Sequence, residues 1–76
     1  MINVRYFAGA RAAAGTSDAT LPAGTSIESM TATAEGRLAL VLKSSSFLVD
    51  GVAWHDRSAP LPVGCTLDVL PPFAGG

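Results

Sequence analysis

The chain has 76 residues, 49% of them hydrophobic and 14% charged, with a formal net charge of −1. That length makes one domain. Its basic residues, Arg5, Arg11, Arg37, Lys43 and Arg57, form no stripe, which excludes nucleic acid as a partner. No apolar run reaches the roughly 20 residues of a membrane span, and the start MINVRYFAG has no signal-peptide pattern. Cys65 stands alone, so no internal disulfide framework exists, and a cytoplasmic protein is expected. A charged share well below the usual roughly 25% also hints at apolar surface meant for a partner.

INVRYFA alternates, with Ile2, Val4 and Tyr6 on one side and Asn3, Arg5 and Phe7 on the other, the period of a strand. GARAAAGTS follows as a turn or helical stub bracketed by Gly9 and Gly15. DATLPAGT reads as a short second strand that Pro22 stops, because proline cannot donate to a ladder. The next stretch predicts a helix over about 26–42, capped by Thr25 or Ser26, with Glu28 or Ser29 near the capping-box position. Ile27, Met30, Ala34, Leu38 and Val41 form its apolar stripe, and Gly36 is where it can break. SFLVDGVAW reads as a hairpin about the Asp50-Gly51 turn, HDRSAPLPVG as loop, and CTLDVL as the last strand. Strands before and after one main helix predict an α+β domain over residues 1–70, a mixed sheet with the helix on one face.

Catalytic and metal constellations are absent. His55, the single histidine, reads as a solvated loop residue and Cys65 as a small core filler. GARAAAG lacks the Lys-Ser/Thr of a phosphate-binding loop. Asp50, Asp56 and Asp68 read as solvated loop and strand-edge charges. No turnover is expected from this chain alone.

What remains is the ending PPFAGG, residues 71–76, read as an extended tail. Pro71 and Pro72 fix φ and favour an extended path away from the sheet. From Pro71 to Gly76 such a path spans up to ~20 Å. Gly75 and Gly76 carry no side chains, so the end can pass through a channel one backbone wide. A terminal carboxylate there is ionised at pH 7 and a poor electrophile. Once adenylated, it becomes an acyl group open to a sulfur nucleophile.

INVRYFAGAR at the start and LDVLPPFAGG at the end resemble the MoaD- and ThiS-type sulfur carriers, most closely the small subunit of molybdopterin synthase. The similarity covers essentially the whole chain, and the strand-Pro-Pro-x-Ala-Gly-Gly ending is its most specific part. TATAEG departs from the leucine-rich helix that the family leads one to expect. The resemblance implies a ubiquitin-like β-grasp fold and no bound cofactor. It implies that an E1-like enzyme spends ATP to adenylate Gly76, and that a sulfur donor then converts it to a thiocarboxylate. Ala74 and Gly75 would thread the tail into the large subunit of molybdopterin synthase, in a heterotetramer, where sulfur passes to a pterin precursor of the molybdenum cofactor. Catalysis would belong to that partner.

The alternatives are a carrier for thiazole or cysteine biosynthesis, a ubiquitin-like protein modifier, and a plain interaction module. For any partner, strand alternation makes the sheet face opposite the helix the expected docking surface. Phe7 and Leu70 point to that side, Phe73 lies just beyond the last strand, and Trp54 after the Asp-Gly turn joins them.

Overall fold

The computed structural model describes residues 1–72. Strand β1 (Ile2–Tyr6) is buried at every second residue, as its alternation predicts. It leads into a short helix, α1 (Ala8–Ala14), which Gly15 ends in the left-handed region at φ 76°. There a Cβ would be strained, so glycine suits the stop. β2 (Asp18–Leu21) returns antiparallel to β1, pairing Ile2 with Leu21 and Arg5 with Asp18. The stub between the two strands is therefore a helix, and its buried Ala10 joins the core.

The expected helix breaks just before Gly36, the position where a break was anticipated, and divides into α2 (Ile27–Thr33) and α3 (Gly36–Ser44). Ser26 is the cap. Its Oγ accepts from the Ser29 amide at 3.1 Å, and its own amide donates to the Ser29 Oγ at 3.1 Å. This reciprocal pair satisfies two donors at the helix start. Ala34 and Glu35 are extended, and Gly36 has φ 57°. These residues stop the first helix and re-aim the second.

β3 (Ser46–Val49) and β4 (Val52–Ala53) form the hairpin about Asp50 and Gly51, whose φ values of 49° and 84° are those of a two-residue primed turn. β5 (Thr66–Leu70) closes the sheet. The strand order is β2-β1-β5-β3-β4, with β5 parallel to β1 and antiparallel to β3. The sheet is mixed, as expected.

The core lies between one sheet face and the three helices. Ile2, Val4, Tyr6, Phe47, Val49, Leu67 and Val69 meet Ala10, Ile27, Met30 and Leu42, with Leu61 and Cys65 closing one end. Of the expected stripe, Ile27 and Met30 are buried, while Ala34, Leu38 and Val41 are half-buried. Leu42, outside that stripe, is fully buried. A helix restarted after a break does not keep the phase of the one before it.

Candidate functional site

The sheet face away from the helices is open, and strand register lays its residues out in rows. Asp18, Arg5, Asp68, Leu48 and Ala53 run across the middle, one from each strand. Towards the end where β1 and β5 both finish, Leu70 stands opposite Ser46. Phe7 follows Tyr6 in extended backbone, and its amide donates to the Val69 carbonyl at 3.3 Å. Phe7 is 38% exposed and Leu70 half-buried, so both expected docking residues lie on the open side, beside the exit of β5. Pro71 is buried and Pro72 exposed, so the described chain leaves the sheet at that end. Phe73, Ala74, Gly75 and Gly76 lie outside the described residues.

Trp54 stands elsewhere. Its amide donates to the carbonyl of inward-facing Phe47 at 2.9 Å, and its side chain packs against the core. A residue opposite Phe47 shares its face of the sheet, so Trp54 extends the core at the β4 edge and does not join Phe7 and Leu70. The indole Nε1 donates to the Asp56 carbonyl at 2.8 Å. A groove of about 280 Å³ runs beside it, lined in part by His55, Phe47 and Arg57. Arg57 donates to the carbonyls of Leu42 and Ser45 at 3.2 and 2.9 Å, and its guanidinium lies 5.0 Å from the Phe47 ring centroid. It thus satisfies acceptors at the end of α3, which argues against a role for it in holding an anionic ligand.

The structure corrects the reading of the aspartates. Asp68 is not a solvated strand-edge charge: it is 6% exposed on the central strand, and Arg5 clasps it in a two-bond fork. Arg5 Nε donates to Oδ1 at 2.7 Å and Nη2 to Oδ2 at 2.9 Å. This is the planar geometry that arginine and carboxylate favour. The guanidinium also lies 5.5 Å from the Phe7 ring centroid. Asp50 Oδ1 accepts from the Thr66 amide at 2.9 Å, tying the hairpin turn to the start of β5. Asp56 Oδ1 accepts from the Ser58 hydroxyl and from the amides of Ser58 and Ala59, and these bonds hold its carboxyl below the usual carboxylate range.

His55 is exposed, as a loop residue, and Cys65 is 2% exposed in the core. Burial pushes the Cys65 thiol up, and the negative charge of Asp50 adds to the effect. The folded value lies above the unfolded one of about 8.5. The thiol's contribution to stability is therefore complete below that pH and is lost as pH rises past it. Iodoacetamide at pH 8 is expected to leave the native thiol unmodified and to label it once urea unfolds the chain. Rapid labelling of the native protein would overturn the burial of Cys65. Among the described residues no group of three or more His, Cys, Asp and Glu side chains gathers as metal ligands do, and no helix is long and apolar enough to cross a membrane.

The geometry offers an open sheet face and a firmly held central strand ending beside it. No family model matches the sequence, and no curated protein matches it. Among solved structures, the fold matches a chain in the protein–protein complex of subunits 1 and 2 of molybdopterin-converting factor from Helicobacter pylori 26695. The match covers 99% of this chain and 97% of that one, with a TM-score of 0.70 and 19% identity. At that identity the likeness speaks to fold, and by fold this chain is a ubiquitin-like β-grasp domain.

Proposed function

We infer that this protein is a sulfur carrier acting as the small subunit of a molybdopterin synthase. The observation that carries this reading is the match in fold, over essentially the full chain, to a chain of a molybdopterin-converting factor complex. The ending PPFAGG directly after β5 supports it. β5 is the central strand, hydrogen-bonded on both sides, so the base of the tail is fixed in space. A fixed base and a narrow tip suit a group that is handed from one enzyme site to another.

In the proposed cycle an E1-like enzyme binds ATP, and the Gly76 carboxylate attacks its α-phosphorus with loss of pyrophosphate. A sulfide-equivalent nucleophile from a sulfur donor displaces AMP, leaving a C–S bond where a C–O bond stood. Ala74 and Gly75 then carry the thiocarboxylate into the large subunit, which directs its sulfur to a pterin precursor. Phe7, Leu70 and Phe73 dock against that subunit.

Intact-mass spectrometry of protein from cells that make the molybdenum cofactor tests this reading. A mass gain equal to oxygen replaced by sulfur, mapped to the C-terminal peptide, is the expected result. Lysine-linked conjugates would identify a protein modifier, and an unmodified terminus in active cells would leave an interaction module.

A further inference from the structure

The Arg5–Asp68 fork occupies the middle row of a face whose neighbouring side chains include Leu48, Leu70, Ala53 and Phe7. A charged pair is an expensive thing to cover: both groups lose water, and their attraction offsets that cost only when the remaining donors and acceptors are met. Asp68 is already met, with each oxygen accepting one bond from Arg5. Arg5 is not. Two of the five N–H groups an arginine carries go to Asp68. Among the described residues, Nη1 and the second hydrogen of Nη2 donate to no protein acceptor. The Arg5 side chain is 57% exposed against 9% for Asp68, so a covering surface meets the guanidinium first.

We propose that Arg5 is a specificity-determining residue of this face, selecting a partner protein whose apolar docking surface offers a neutral carbonyl oxygen over the guanidinium. The proposal rests on the sulfur-carrier reading for the identity of the partner. The acceptor is neutral because of the charges already beside Arg5. Asp68 flanks it on β5, and Asp18 stands opposite it on β2, so the row has one positive and two negative groups. A third carboxylate would meet a row that is already net negative, while a backbone or side-chain amide oxygen accepts the remaining N–H groups without that repulsion. Arginine in such a place acts as an interface anchor that also rejects surfaces lacking the acceptor.

The test uses the full chain and the large subunit of molybdopterin synthase from the same organism. The double variant Arg5→Met/Asp68→Leu replaces the pair with apolar groups of similar size, a change that leaves most folds intact. Its Tm is expected to stay near that of the wild type while its Kd for the large subunit rises about tenfold or more, because the partner's oxygen is buried without a donor. Arg5→Lys keeps the charge beside Asp68 and loses the planar fork, so it is expected to weaken binding several-fold with the fold unchanged. This second variant carries the test if the double variant does not fold. Wild-type Kd is expected to change little between low and high salt.

Binding by both variants at wild-type strength overturns the inference, and so does steep weakening of the wild type with salt, which would mark a charged acceptor. Failure of the wild-type protein to bind the large subunit at all overturns the sulfur-carrier reading, and this inference with it.

Discussion

Protein lacking Gly76 is expected to fold and melt like the full chain and to carry no usable sulfur. Every core residue lies between Ile2 and Val69, and the last strand ends at Leu70, so the deletion removes no packing that the described residues make. The truncated chain still ends in a glycine carboxylate, but that carboxylate is one residue, about 3.3 Å, nearer to the sheet. Because β5 is held by β1 and β3, the base of the tail cannot follow to make up the distance. A misplacement of about 1 Å at a reacting centre already costs on the order of 10²-fold in rate. Sulfur transfer is therefore expected to fall by at least that factor, with cofactor synthesis in a carrier-deficient strain dropping to background. On the proposed reading, Gly76→Ala adds a methyl to a tip that would enter a backbone-wide channel, and it is expected to impair transfer with Tm again unchanged. A truncated protein that restores cofactor synthesis would sink the carrier reading.

The largest expected effect on stability comes from the second half of the broken helix. Leu42 is fully buried and Leu40, two residues earlier on the same helix, is 66% exposed. Leu42→Ala removes a side chain from the core beneath the sheet and leaves a cavity, at a cost of about 2–5 kcal/mol. In a domain of this size 1 kcal/mol shifts Tm by roughly 4–8 °C, so a fall of roughly 8–40 °C is expected. Leu40→Ala changes an exposed site and is expected to stay within about 0.5 kcal/mol of the wild type. Thermal and urea denaturation of the two variants gives the comparison. Equal losses at both positions would mean that α3 presents a different side to the sheet.

What the sequence by itself determined was local. β1 was legible because each residue of INVRY alternates between burial and exposure, a period that needs no knowledge of the partner strand. The Asp50-Gly51 hairpin was legible because positive φ at two successive residues demands such a pair. The cap was legible as Thr25 or Ser26 because a cap hydroxyl acts within three residues, and the structure shows it to be Ser26. The stretch over about 26–42 was legible as helical, but its phase was not. Ala34 and Glu35 are ordinary residues held in extended backbone, and only packing on the sheet shows that Leu42 is the residue turned inward in the second helix.

Distance along the chain decided the rest. Arg5 and Asp68 are 63 residues apart and meet because β1 and β5 lie parallel and adjacent, so an aspartate that reads as solvated becomes the buried half of an ion pair. Trp54 follows the same logic. It lies just past a two-residue strand, where a shift of one residue reverses the face, and its pairing with Phe47 sets it on the helix side. Periodicity and turn chemistry act over a few residues and are written in the order of side chains. Strand order and facing are set when the whole apolar surface is buried at once, and only the tertiary structure decided which charges and aromatics were left exposed on the open face.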